Sequence, residues 1–208
     1  MRYFVLALLL VCSACAAKPT QWPAVQPAAT LAVAQTVHPQ HDWELMAGVL
    51  PDEPPVISPE ALDAVDRQLL ASLAKTPGRT VLDQAMVRQC EEIVTANRER
   101  QRFVAVEYWK EVATCMKADF LLVPFVTQWQ ERDGGEWGVT RPASLTMDLY
   151  LIETASGQLR RYHFEEEQKG LAENLLQGRR FVKRKGRWVT PQEIAAEAIE
   201  EGTKALGL

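Results

Sequence analysis

The chain has 208 residues, 47% of them hydrophobic, with 23 basic and 27 acidic residues and a net charge of −4. That is the size of one ordinary domain with an extension, and such mild acidity argues against a general nucleic-acid role. No apolar run reaches the roughly 20 residues that cross a bilayer as a helix.

Residues 1–14 have the layout of a secretory signal: Arg2 is a one-charge start, Tyr3 to Val11 are mostly apolar, and Ser13 and Ala14 are small. The run Leu10-Val11-Cys12-Ser13-Ala14-Cys15 resembles a bacterial lipobox, which implies cleavage before Cys15 and acylation of that cysteine. Cys12 stands where Leu is usual, and Val11 before it is too bulky for Cys12 to be the acceptor. The alternative is an ordinary secreted protein cut near Ala17. Acyl chains, at about 0.8 kcal/mol per buried CH₂, would hold the protein on a membrane. The lipobox resemblance, with Ala16 rather than Asp after the cysteine, implies the outer membrane and a periplasm-facing domain. In that oxidising compartment Cys90 and Cys115 can form a disulfide. Both lie on expected helices, where cysteine also serves as a small buried apolar residue. They are too few for a zinc site, and no metal or cofactor is expected.

Residues 15–41, the lipidated cysteine and a stretch rich in Ala, Pro, Gln and Thr, read as a flexible linker. Its coil span would be about 25–30 Å. His38 and His41 fall within it and read as solvated rather than metal-binding.

The folded domain is expected over residues 42–208. Trp43 to Leu50 can form a first strand. Ser58-Pro59 then starts a helix to about Ala74, with a hydroxyl cap and a first-position proline. Arg79 to Leu82 can be a short strand. Asp83 caps a second helix with Met86, Val87, Cys90, Ile93 and Val94 as its stripe, and a third helix covers about Phe103 to Lys117. Ala118 to Val126 is an almost continuous apolar run and reads as a buried strand. Pro124 lacks a ladder donor, which predicts a sheet edge or a bulge there. Asp133-Gly134-Gly135 is a turn. Ser144 to Phe164 is a hairpin, with clean alternation from Leu145 to Leu151 and a turn at Ala155-Ser156-Gly157. Gly170 to Gln177 reads as a short amphipathic piece. Thr190-Pro191-Gln192-Glu193 is a capping box that opens a final helix to about Leu206. The expected fold class is α/β, a mixed sheet with packed helices, preceded by a signal peptide and a flexible tether.

The strand ADFLLVPFV leading into the hairpin DLYLIETASGQL, with helix, RTVL strand and helix before it, is similar to a superfamily of periplasmic lipoproteins. It includes the curli secretion-channel lipoprotein, the outer-membrane lipoprotein activators of penicillin-binding proteins and the N-terminal domain of the Tol-system propeller protein. PFVTQWQER, RPASL, HFEEEQ, AENLL and GRRFVKRKGRWVT also look like a group of uncharacterised proteobacterial outer-membrane lipoproteins. The resemblance covers about residues 43–206. Residues 126–143 carry no alternating apolar band, so pore formation is not expected.

No nucleophile elbow, metalloprotease helix, P-loop or dinucleotide fingerprint is present, and no catalytic residue is expected. His163 on the returning strand reads as structural, and Glu165, Glu166 and Glu167 as a solvated charge run. The sharpest local signal is Arg179, Arg180, Lys183, Arg184, Lys185 and Arg187, followed by Trp188. Export removes nucleic acid as a partner for this cluster. It could meet a lipid or cell-wall polyanion, or it could pair with Glu165–Glu167 and the acid-rich final helix. Two functions follow as expectations. One is a non-enzymatic envelope lipoprotein acting by contact with a protein partner, as adaptor, regulator or assembly factor. The other is a polyanion-binding module working through residues 179–188.

Overall fold

The computed structural model describes residues 22–98, 104–169 and 178–208. Cys15 and the expected amphipathic piece at 170–177 lie outside these.

A five-stranded mixed sheet carries the fold, in the order β2-β1-β3-β6-β7. β1 (Thr30–Val33) runs parallel to β2 (Thr80–Leu82) and to β3 (Phe120–Gln130). β3 pairs antiparallel with β6 (Ser144–Glu153), which pairs antiparallel with β7 (Leu159–Glu167). A separate ribbon of β4 (Asp133–Gly135) and β5 (Gly138–Arg141) projects beyond the end of β3. Helices cover both faces, giving three layers. On one face α1 (Pro59–Leu73) and α5 (Pro191–Leu206) pack on Leu31, Val33, Leu122, Leu145 and Leu149. On the other, α2 (Gln84–Asn97) and α3 (Ala105–Met116) pack on Leu121, Val123, Phe125, Tyr150 and Ile152. A short α4 (Gly178–Lys183) precedes α5.

The helix starts follow local chemistry. Ser58 accepts from the Ala61 amide, Asp83 from the Ala85 amide, and Thr190 and Glu193 form the reciprocal box. Gly202 lets α5 settle onto the sheet, since a Cβ there would sit 2.6 Å from Leu149 Cδ1. Cys90 on α2 and Cys115 on α3 are joined by a disulfide.

The expected linker at 15–41 ends much earlier. β1 lies inside it, paired on both sides, with Leu31 and Val33 fully buried. Three apolar residues suffice because neighbours on two strands and two faces remove them from water. The folded unit therefore includes residues from Trp22 onward. Trp43 to Leu50 forms no strand: Asp42–Glu44 is a 3-10 turn, and Leu45, Met46 and Ala47 pack as a loop on the α2/α3 side.

Pro124 lies in the central strand, neither at an edge nor on a bulge of its own. Its missing N–H falls where β1 breaks off. The Ala34 carbonyl, which a residue 124 amide would meet in a continuous parallel ladder, accepts from Gln84 Nε2 at 3.2 Å instead. The neighbouring chain rejoins one residue out of register, through Val37 N to Pro124 O and Val126 N to Val37 O, both 2.9 Å. Thr36, in the detour, donates through N and Oγ1 to buried Asp66 at 2.8 and 2.6 Å.

Candidate functional site

The basic segment turns inward. β7 alternates so that Arg160, Tyr162, Phe164 and Glu166 face α5, while His163, Glu165 and Glu167 do not. Glu166, 7% exposed, meets Arg184, 4% exposed, with Nη1 to Oε1 at 2.6 Å. Arg184 also grips Glu197 of α5, Nε to Oε1 at 3.0 Å and Nη2 to Oε2 at 2.8 Å. Arg180 bridges Glu166 and Glu201 at 2.8 and 2.9 Å, and its guanidinium lies 4.5 Å from the Phe164 ring centroid. Tyr162 OH completes the group by donating to Glu201 at 3.1 Å. Burial pulls the Arg184 guanidinium's pKa down, but its hydrogen bonds to Glu197 and Glu166, with their charges, outweigh this and hold the group above its ordinary range. Burial likewise pushes Glu197 up, and the Arg184 bonds and charge reverse this, leaving its carboxyl below the usual range.

Arg187 reaches Glu136 and Glu193 at 3.5 and 3.8 Å. Lys183 and Lys185 are exposed, and the Arg179 side chain lies outside the described residues. The segment is therefore no presented polycation. Three of its arginines are engaged with the chain's own acids, and Glu165–Glu167 is not one solvated run, since Glu166 is buried. The β7 alternation carried the missed signal: a strand that buries Phe164 must bury Glu166 two residues on.

A different surface forms at the end of the sheet where β3 finishes. The β4–β5 ribbon is stitched to the loop before α5. Trp188 N donates to Glu136 O at 2.8 Å, and Arg132 Nη1 donates to Trp188 O. Glu131 Oε1 accepts from Trp129 Nε1 at 2.8 Å and from Gln192 Nε2 at 3.1 Å. Gly134 allows the tight ribbon, with φ +115° and space for no Cβ, which would lie 2.6 Å from Gly138 O. At the ribbon's turn stands Trp137, 77% exposed. The loop from His38 to Ile57 leaves the same sheet end. His38 is not a solvated linker residue: its ring nitrogens bond Val126 O at 3.1 Å and Pro55 O at 2.8 Å. This loop exposes Val49 and Val56, together with Trp43, whose ring stacks on His41 at 5.3 Å.

Among the described residues no group of three His, Cys, Asp or Glu is placed to hold a metal, and no helix is long and apolar enough to cross a membrane. His163 bonds buried Asp148 at 3.0 Å, which Arg161 also engages at 2.7 Å. That arrangement satisfies a buried carboxylate.

No family model matches the chain, and no curated protein does. Solved structures do. The PelC dodecamer from Paraburkholderia phytofirmans aligns at a TM-score of 0.45 and 12% identity, over 90% of this chain and 94% of that one. The LpoB C-terminal domain from Salmonella enterica aligns at 0.40 and 11%, over 69% and 86%. Lipoprotein GNA1162 from Neisseria meningitidis aligns at 0.38 and 14%, over 75% and 96%.

Proposed function

We propose that the chain is a lipoprotein of the cell envelope, held at the outer membrane through acylated Cys15 and facing the periplasm, that acts without catalysis by contact with a protein partner. The observation that carries this reading is the placement of Trp137. Its large apolar surface is exposed at the tip of a ribbon pinned by Trp188 and Arg132, and preordered aromatics are the residues that dominate protein contacts. The described chain begins at Trp22, whose ring, like that of Phe120 at the opening of β3, lies 5.6 Å from the Arg160 guanidinium carbon, whereas the ribbon follows the close of β3. Eleven residues of strand separate the two by about 35 Å. The contact surface therefore lies at the end of the sheet remote from Trp22.

The test replaces Trp137 with a photo-crosslinking residue in the full-length chain in cells, with Lys75 as the comparison position. The expected result is a specific adduct from position 137 and none from 75, and a mature N-terminus that carries acyl chains on Cys15. Equal labelling from both positions, or an unacylated N-terminus, would defeat the proposal. Residues 179–188 offer a polyanion little free charge, because Arg180, Arg184 and Arg187 pair with acids of their own chain.

A further inference from the structure

At the other end of the sheet, where the chain enters the domain, lies an open cavity of about 670 Å³, within the range of small-molecule sites. Val25, Ala29, Ala118 and Phe120 supply apolar wall, and Thr154 and Arg160 supply polar wall. Arg160 is only 5% exposed. Its Nη1 donates to Pro23 O and Leu206 O at 2.9 and 3.1 Å, and its guanidinium carbon lies 5.6 Å from the ring centroids of both Trp22 and Phe120. Among the described residues no carboxylate pairs with it. Its Nε is buried without an acceptor, and Thr154 Oγ1 is buried without a partner.

This contrasts with the Arg184 site, where a guanidinium of similar burial meets two carboxylates. Removing a charge from water is costly unless a counter-charge and hydrogen bonds replace the solvent. A purely structural clamp between Pro23 and Leu206 accounts for Nη1 alone. It leaves Nε and Thr154 Oγ1 without partners, and both residues line the cavity. We propose that this cavity binds a small monocarboxylate with an apolar body. The carboxylate lies against Arg160, where planar charge-assisted pairing is available, and the body lies against Val25, Ala29 and Phe120.

The rim selects the charge. Lys117 adds a second cation, while Asp119 and Glu153 also line the opening. Both acids are held by their own chain: Asp119 Oδ2 accepts from Thr30 N and Oγ1 at 2.7 and 2.8 Å, and Glu153 accepts from Ser156 Oγ. They balance the two cations and repel a multiply charged anion, so phosphate is disfavoured.

The experiment uses the isotope-labelled, folded protein and follows the Trp22 indole N–H and the Thr154 amide by NMR while hexanoate is added. A saturable shift at both positions is expected, with hexanol and inorganic phosphate binding at least about tenfold more weakly, as loss of one charge-assisted contact requires. Arg160→Gln is expected to weaken hexanoate by a similar factor. Because Arg160 also ties down Pro23 and Leu206, Ala155→Trp provides an independent variant. It fills the cavity from an exposed position, keeps the arginine, and is expected to block the shift. No shift up to about 10 mM hexanoate, equal binding of hexanol or phosphate, or unchanged binding by Ala155→Trp would each overturn the proposal.

Discussion

Replacing Arg184 with alanine tests the inward pairing of the basic segment. The side chain is 4% exposed and makes four hydrogen bonds to two carboxylates, one of them Glu166, itself 7% exposed. Breaking a buried pair from one side costs about 3–5 kcal/mol, because the other charge stays buried. Glu166 keeps Arg180, and Glu197 is about a quarter exposed, so the lower end applies, about 3 kcal/mol. Urea unfolding followed by circular dichroism reads this as a midpoint shift of about 1 M or more, given slopes of about 1–3 kcal/mol per molar. Arg187→Ala is the comparison. Its ion pairs are 3.5 and 3.8 Å long and partly exposed, so its loss is expected to stay below about 1 kcal/mol. The pH dependence has a fixed sign. Glu197 is held below its ordinary pKa, so its contribution is complete above the unfolded value, about 4.3, and is lost as pH falls through the folded value. The penalty of Arg184→Ala is therefore expected to shrink on acidification below about pH 4. Equal effects of the two substitutions at pH 7, or a penalty that grows in acid, would refute the buried pairing.

Leu31→Ala tests the place of β1: a fully buried leucine in mid-sheet predicts a loss of about 2–5 kcal/mol in the same urea assay. A loss near zero would return the segment to the tether. Joint Cys90→Ala and Cys115→Ala substitution opens a loop of 25 residues, which corresponds to about 3.5 kcal/mol of chain entropy. A thermal midpoint that stays in place after substitution, or after treatment with reductant, would contradict the bridge's role in stability.

The elements that were legible in the sequence are those written in local chemistry. Ser58-Pro59, Asp83 and the Thr190/Glu193 box mark helix starts because each cap satisfies amides two or three residues away. The hairpin from Ser144 was legible because apolar and polar positions alternate from Leu145 to Leu151 in β6. β1 was not, since its strand character comes from partners about 50 and 90 residues downstream, and TLAV sits among prolines and alanines. Trp43 to Leu50 failed in the opposite way: an apolar composition suited to a strand is used by a loop that Asp42 ties back through the Leu50 amide. In the site, charge counting found the basic segment but not its direction. Direction depends on which β7 residues face α5, and the two buried charges of that face, Arg160 and Glu166, share a strand yet have opposite surroundings.

The position of β1 also orders assembly in time. It leaves the ribosome before both of its neighbours, and its place opens only once β2 and β3 have been made. Until then β1 waits as a short, mostly apolar segment without partners, which any free strand edge could capture. The interval between synthesis of Leu31 and of Leu122 is therefore the period in which this chain is most exposed to mispairing, and a holding factor would have the most to protect.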